Sequence, residues 1–250
     1  MLTAKKTKIS PRRNGTSPYI LVSIALALLF AVSCHGAIRK RPGAFYALAI
    51  LLVVGEVLYY SLGLRATAPQ WVNTYIVNLF TRGTLPTALF MVVMHVGALD
   101  HRRPLVRKLL AIRGPLSIMA CILTLGHNLM YGIRHFVMLF VAPETMRPTT
   151  LVAAILSLLM IVLMIPLMVT SFSRVRSRMS AASWKRLQRL AYLFFGLIYA
   201  HVMVLFVPQF SHKYLDIILY TAIFGGYLVL RVAKALKVHE QKHASYLRCA

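Results

Sequence analysis

Acidic residues are scarce in this chain: Asp and Glu account for 5 of its 250 residues, against 29 Lys and Arg, and charged residues make up only 14%. A soluble domain of this length needs far more charge on its surface. Hydrophobic residues reach 59%, and apolar runs of about 20 residues, long enough for a helix to span a bilayer, recur along the chain. The composition therefore predicts a polytopic membrane protein.

Motifs for self-contained chemistry are also absent. The three cysteines, Cys34, Cys121 and Cys249, lie far apart and form no CxxC pair, so neither a disulfide framework nor an iron–sulfur site is expected. The sequence has no G-x-G-x-x-G, no phosphate-binding loop and no H-E-x-x-H zinc motif. A flavin- or nicotinamide-binding domain is therefore not expected, and electrons for a redox reaction must come from another molecule.

The apolar runs predict seven membrane-spanning helices. The third run contains the sequence TRGTLP, which combines a charge, a glycine and a proline, so we expect a break in this helix near Arg82–Pro86. No internal repeat is present, and no stretch is long enough for a soluble domain. The predicted spans are 18–37, 42–63, 74–99, 114–136, 149–171, 187–207 and 214–233.

Basic residues are concentrated in alternate loops. The connections 100–113 and 172–189 hold five and six Lys or Arg, and the C-terminus is also basic, whereas the loops between them hold one or two. Because cytoplasmic loops carry this excess, these segments are expected on the cytoplasmic side of a multi-pass protein of the cytoplasmic (inner) membrane. The net charge of +24 is thus explained by membrane topology, and nucleic acid is not an expected partner.

Two histidines lie deep inside separate predicted spans. His127 is 13 residues along the fourth span and His201 is 14 residues along the sixth, each about 20 Å from the inner end. Ionisable groups in hydrocarbon usually mark a site or a pathway, and two neutral imidazoles at matching depth suit the two faces of a heme iron. We therefore predict that they ligate the metal of one heme. For either histidine alone, a hydrogen bond to a neighbouring helix is an equally good explanation.

These features predict an all-α fold: a polytopic membrane helical bundle with a six-helix heme-binding core plus one extra N-terminal helix. The extra helix is inferred because seven spans place the N-terminus outside, although residues 1–17 carry five Lys or Arg. We expect a basic tail and extra transmembrane helix over 1–41, the heme domain over 42–236 and a polar tail over 237–250.

Two further ionisable side chains lie within predicted spans. His95, near the inner end of the third span, could ligate a second, inner heme or could simply be a histidine at a helix end. Glu56, in the middle of the second span, needs a partner or a proton. A role in a proton relay or a quinol site and a neutral, hydrogen-bonded carboxyl group are both open for Glu56.

The stretch 147–206 resembles the ferric-reductase-like transmembrane domain. Within that superfamily it is most similar to the heme-bearing membrane subunit of the bacterial periplasmic methionine-sulfoxide reductase system. The Pro-containing start, the Thr170–Ser171 pair, the Trp-x-x-Leu-x-Arg-Leu-x-Tyr run and the later histidine occur in the same order. Upstream, RRPLVRKLLAIRGPLSIMACILTLGHNLMYG resembles the family's double-Arg turn and ligand helix. The resemblance covers about 42–236.

The resemblance implies that His127 and His201 hold a heme b and that the electron donor is quinol or flavin. One position departs from the family pattern, because Gln188 stands where the family has His in its Trp-x-x-Leu-His-Arg-Leu run. One heme b is therefore expected, while a second is in doubt; FMN and quinone are further candidate cofactors. The basic turn could hold a flavin phosphate or act only as a topological anchor, and its arginines are Arg102, Arg103 and Arg107.

The leading functional hypothesis is a membrane b-type cytochrome that passes electrons from quinol or flavin to an extracytoplasmic reductase partner. It would be the electron-transfer subunit of an oxidoreductase system, not a self-contained enzyme. An alternative is the membrane component of a ferric or flavin reductase with a small extracellular acceptor. A third hypothesis, from another class, is a heme-free transporter or assembly protein whose histidines serve packing or proton relay.

Overall fold

The fold is all-α. A computed structural model of the chain describes residues 19–249, which contain no β-strand. Five helical segments in this range are long and apolar enough to cross a membrane, and a bent pair of helices forms a sixth candidate span. The predicted all-α polytopic membrane bundle is thus confirmed. The predicted basic tail, 1–17, lies outside the described residues.

We number the main helices in chain order. They are α1 Tyr19–Lys40, α2 Pro42–Ser61, α3 Val72–Thr81, α4 Thr84–Ala98, α5 Arg113–Val141, α6 Pro148–Val169, α7 Leu190–Phe206 and α8 Phe210–Cys249. The short helices between them are Leu64–Thr67, Pro104–Ala111, Pro143–Thr145, Ser173–Arg176, Ala181–Gln188 and Val207–Gln209. The last helix is much longer than its predicted span, since the predicted polar tail from 237 continues it to Cys249.

The last two main helices are antiparallel neighbours. The chain reverses at the single 3-10 turn Val207–Gln209. Residues before this turn contact residues after it: the hydroxyl groups of Tyr199 and Thr221 lie 2.9 Å apart, and the ring centroids of Phe195 and Tyr227 lie 4.9 Å apart. These contacts pair α7 with α8 in reverse order, so each of the seven predicted spans corresponds to one helical limb, with α3 and α4 together forming the third.

The central helix of the bundle is α4. It contacts α1, α3, α5 and α8, whereas the lipid-facing helices expose many large apolar side chains. A helix that is apolar and buried on most sides belongs to the interior of a bundle. Its buried residues are Pro86, Ala88, Leu89, Phe90, Met91, Val92, Val93, Met94, Val96 and Ala98.

The predicted extra helix, α1, is packed closely into the bundle. Ser23, Ala27 and Ala31 recur every four residues on one face, and each is 0–1% exposed. Small side chains at this spacing allow two helix backbones to approach closely in a membrane protein. The Ser23 hydroxyl also donates a hydrogen bond to Thr84 Oγ1 at 3.1 Å. The helix therefore forms part of the wall around α4.

The third limb breaks where the sequence predicts. Helices α3 and α4 meet at an angle of 53°, and Gly83 between them has φ +69°, a left-handed conformation that favours glycine. Pro86 follows in the first turn of α4, where its missing N–H costs no helical hydrogen bond. This break places the Thr81 carbonyl beside the site described below.

Replacing a small residue at the α1–α4 contact should destabilise the bundle. We expect Ala27→Leu to lower the free energy of unfolding by about 1–3 kcal/mol, because the added atoms overpack a closed contact. Ala25→Leu on the exposed face of the same helix is the matched control and should have little effect. Thermal unfolding of both variants in detergent would measure the difference; equal midpoints would contradict the packing assigned to α1.

Candidate functional site

His127 and His201 line the same internal cavity. The cavity has a volume of about 380 Å³ and lies among α4, α5, α6 and α7. Its walls are mainly apolar. Among the described residues that line it there is no Asp or Glu, and Arg82 is the one Arg or Lys. Two imidazoles from different helices thus meet at one buried space, which we call the histidine cavity.

The first histidine is oriented by the broken limb. His127 Nδ1 lies 2.7 Å from the carbonyl oxygen of Thr81. A carbonyl can only accept, so Nδ1 carries the proton and donates this hydrogen bond. No backbone N–H among the described residues donates to the Thr81 carbonyl, because the chain turns at Gly83. The break therefore supplies the acceptor that orients the ring.

The second histidine is oriented in the same way by a different helix. His201 Nδ1 lies 3.1 Å from the carbonyl oxygen of Ala153 and 3.4 Å from the Ser157 hydroxyl, both on α6. Donation to the carbonyl fixes the proton on Nδ1. The tautomer is thus the same as that of His127, with Nε2 unprotonated.

This pattern is the one found in metal-bound histidines, whose second ring nitrogen commonly donates to a backbone carbonyl or a carboxylate. No described hydrogen bond occupies Nε2 of His127 or His201. A heme b fits the features of this cavity. The Nε2 lone pairs of His127 and His201 could hold its iron, the walls are apolar, and Arg82 could neutralise one of its carboxylates. The described residues contain no cluster of three or more His, Cys, Asp or Glu that could hold a bare metal ion.

The local packing around His127 is tight. An added Cβ at Gly83 would lie 3.2 Å from the His127 ring, and one at Gly126 would lie 2.6 Å from a methyl carbon of Val53 on α2. The ring of Tyr131 stacks on the His127 ring with centroids 5.7 Å apart. The π-helical turn that follows, Asn128–Gly132, is a feature often found at functional sites.

A second cavity, of about 460 Å³, lies toward the basic end of the bundle. We call it the basic cavity. It shares the side chains of Phe90, Met164 and Phe194 with the histidine cavity, and the Phe90 and Phe194 rings contact each other with centroids 5.0 Å apart. One layer of side chains therefore separates the two. Its lining includes four cationic residues and no acid: Arg113, Arg176, Lys185 and Arg189.

No histidine lines the basic cavity. Gln188 occupies the position where the ferric-reductase-like family, which the sequence resembles, has a histidine. It donates its amide N–H to Thr170 Oγ1 at 3.2 Å and to the Leu167 carbonyl at 3.5 Å. The double-Arg turn does not contribute either, since Arg102 and Arg103 are exposed and lie outside the lining. A heme held by two histidines does not fit this cavity.

The structure places His95 away from both cavities. Its Nδ1 donates to the Met91 carbonyl one turn earlier on the same helix, at 2.8 Å. Its ring packs against Tyr227 and Phe195, with centroids 5.4 and 6.5 Å away, and it lines neither cavity. A second-heme role for His95 stays a prediction without a matching second ligand.

Sequence reasoning missed several groups that shape the site. The carbonyls of Thr81 and Ala153 orient the two histidines but leave no trace in residue type. The motif TRGTLP was the one available signal, since it predicted the break that frees the Thr81 carbonyl. The cations of the basic cavity were assigned to topology alone, and nothing in their spacing distinguishes Arg113 or Arg189 from ordinary loop charges.

Comparisons with known proteins give one informative relative. A protein described as uncharacterized, from Treponema pallidum (strain Nichols), is 35% identical over 220 residues, which cover 86% of this chain. The chain spans about 60% of that relative's length. No family model matches the chain, and no solved structure matches it.

The contact between Gly83 and the His127 ring can be tested with a matched pair of glycines. Gly63 and Gly83 have φ of +68° and +69°, but a Cβ at Gly63 meets nothing within 4 Å. We expect Gly63→Ala to cost about 1 kcal/mol through backbone strain alone. Gly83→Ala should cost more, because it also displaces the imidazole. Chemical unfolding of both variants would measure this; equal losses would show that the ring is not held against the turn.

Proposed function

We propose that this protein is a membrane b-type cytochrome that passes electrons from a quinol or flavin donor to an extracytoplasmic reductase partner. The observation that carries the proposal is the shared tautomer of His127 and His201: both imidazoles line one cavity with Nδ1 bound to a carbonyl and Nε2 free. An arrangement that served only packing would not need two imidazoles with unpartnered Nε2 atoms at one cavity. The resemblance to the ferric-reductase-like domain supports the same conclusion.

The residues of the histidine cavity have distinct roles in this proposal. His127 and His201 would hold the heme from its two faces, and Arg82 would neutralise a heme carboxylate. When bound, the heme supplies reversible one-electron chemistry. The carbonyls of Thr81 and Ala153 keep the ring planes fixed and raise the basicity of Nε2, while the apolar walls exclude water.

The basic cavity is the proposed entry side for electrons. Its four cations can bind an anionic donor, such as a flavin with its phosphate, through charge-assisted hydrogen bonds. A quinol could enter the same cavity from the bilayer and contact the rings of Phe90 and Phe194. Because Phe90, Met164 and Phe194 line both cavities, a donor bound there would lie one side-chain layer from the heme.

The basic end also sets the proposed orientation. Under the positive-inside rule, the loops 100–113 and 172–189 face the cytoplasm, and the histidine cavity lies nearer the opposite side of the cytoplasmic membrane. Electrons would then move outward, toward a periplasmic or otherwise extracytoplasmic acceptor.

Heme content tests the proposal directly. We expect detergent-purified protein, expressed with ample heme supply, to contain about one heme b per chain in a pyridine hemochrome assay. His127→Ala and His201→Ala should each lose most of this heme, since each removes one of the two residues that would hold it.

Two other histidines provide the controls. His95→Ala removes a half-buried histidine outside both cavities, and His135→Ala removes another half-buried one, whose Nδ1 donates to the Tyr131 carbonyl. Both variants should retain the heme of the parent protein. Protein without heme would reject the cytochrome and favour the transporter or assembly hypothesis, and two hemes per chain would require a ligand set beyond His127 and His201.

The entry side can be tested through the basic cavity. We expect Arg189→Gln to slow reduction of the heme by reduced flavin about tenfold, which corresponds to losing one charge-assisted contact of about 1.5 kcal/mol. Heme content should not change. Arg103→Gln, in the exposed turn, is the control and should reduce at the parent rate. Stopped-flow absorption at the heme band would measure both, and equal rates would place the donor elsewhere.

The acceptor distinguishes the leading function from its nearest alternative. Reoxidation of the reduced protein by a purified extracytoplasmic reductase, but not by a free ferric chelate, would support the cytochrome with a protein partner. Rapid reoxidation by the chelate alone would instead support a ferric reductase component. The comparison is a kinetic absorption measurement on one preparation.

A further inference from the structure

Glu56 is a half-buried acid, with one fully buried oxygen, that the proposed function does not use. It lies on α2, and its Oε1 has no hydrogen-bond partner; it is the one buried side-chain oxygen or nitrogen in this condition among the described residues. A buried carboxyl group with an unpartnered oxygen is costly to keep ionised and is commonly retained for a function. The position therefore needs an explanation beyond packing.

The face of α2 that carries Glu56 is directed at the His127 support. Val53, one turn before Glu56, packs against Gly126, the residue before the histidine. Tyr60, one turn after Glu56, donates its hydroxyl to Thr81 Oγ1 at 3.3 Å. Residues 53, 56 and 60 share one helix face, so Glu56 lies between these two contacts.

Thr81 connects the acid to the histidine. Its hydroxyl lies within hydrogen-bonding reach of the Glu56 carboxyl group, and its carbonyl oxygen accepts the hydrogen bond from His127 Nδ1. The carboxyl group is thus separated from the proposed ligand by one residue. Because charges interact strongly across an apolar bundle, a change of one unit charge at a group held by His127 would act on this carboxyl group.

No described cation fixes the charge of Glu56. The titratable groups that share Thr81 with it are Tyr60 on the same helix and His127 on α5, and the cation next to Thr81 in the chain is Arg82. Arg82 lies over the Tyr19 ring at 5.1 Å, and the ion pair found in the described residues is Lys213–Asp216. The protonation of Glu56 is therefore free to follow the charge of its surroundings.

We propose that Glu56 is a proton-binding site whose occupancy is coupled to the oxidation state of the heme held by His127 and His201. This inference rests on the proposed function. On reduction, by the quinol or flavin donor, of a heme held there, the Glu56 carboxylate would take up one proton from bulk water and become the neutral acid. When the electron leaves for the acceptor, the proton is released again, so charge in the apolar interior stays balanced.

The test is the pH dependence of the heme midpoint potential. We expect the potential of the parent protein to fall with rising pH by up to about 59 mV per pH unit, the value for one proton per electron. Glu56→Gln keeps the size and polarity of the side chain but cannot ionise, and it should lose most of this slope. Glu144→Gln, at an exposed acid in the turn Pro143–Thr145, is the control and should keep it.

The outcomes separate this inference from the function on which it rests. Heme content is measured first: protein without heme overturns the proposed function and this inference together. Retained heme with an unchanged slope in Glu56→Gln overturns only the proton site. A slope that is lost equally in Glu144→Gln would also overturn it.

A second measurement covers a Glu56→Gln variant that does not fold. The reduced-minus-oxidised infrared difference spectrum of the parent protein should show a protonated-carboxyl band that shifts in D₂O. Glu56→Asp should move this band because it shortens the side chain. A parent spectrum without the band would overturn the proposal.

Discussion

The hydrogen bond from His127 Nδ1 to the Thr81 carbonyl is the interaction on which the site depends. In an unbroken helix this carbonyl would accept from the backbone four residues later. The turn at Gly83 removes that donor and leaves the carbonyl free, at the depth where the imidazole of α5 needs an acceptor. One break in the third limb thus sets the ring tautomer, forms part of the cavity wall and brings Arg82 to its rim.

The rest of the bundle holds that break in place. The contact of Ser23 with Thr84 joins α1 to the first residue of α4, and Tyr60 joins α2 to Thr81. On the other side, α6 and α7 pack extensively and supply His201 with its carbonyl. The two cavities then follow from geometry, because α4 is buried along most of its length and its Phe90 forms the layer between them together with Met164 of α6 and Phe194 of α7.

Much of the fold follows from the sequence. Apolar runs of bilayer length located the limbs, and TRGTLP located the break, because glycine, proline and charge each disfavour a continuous helix. The depth of His127 and His201 followed from helical rise alone. The length of α8 did not, since its polar C-terminal part has no apolar pattern to mark a helix.

The orientation of side chains could not be read in the same way. His95 lies at a plausible depth for a ligand, yet its ring bonds to its own helix, a choice of rotamer that spacing does not determine. The contact face of α1 could not be assigned, because its small residues alternate with other alanines such as Ala25. The basic cavity was also hidden, since its cations come from three separate segments and assemble only when the helix ends meet.

In the proposed function, His127 and His201 would hold a single heme through their free Nε2 atoms. Electron paramagnetic resonance of the oxidised, purified protein tests it most directly, because ligand type sets the spin state of ferric heme. We predict one low-spin heme with two imidazole ligands per chain, and its loss in both His127→Ala and His201→Ala. A high-spin signal in the parent protein, or a low-spin signal that survives His201→Ala, would contradict it.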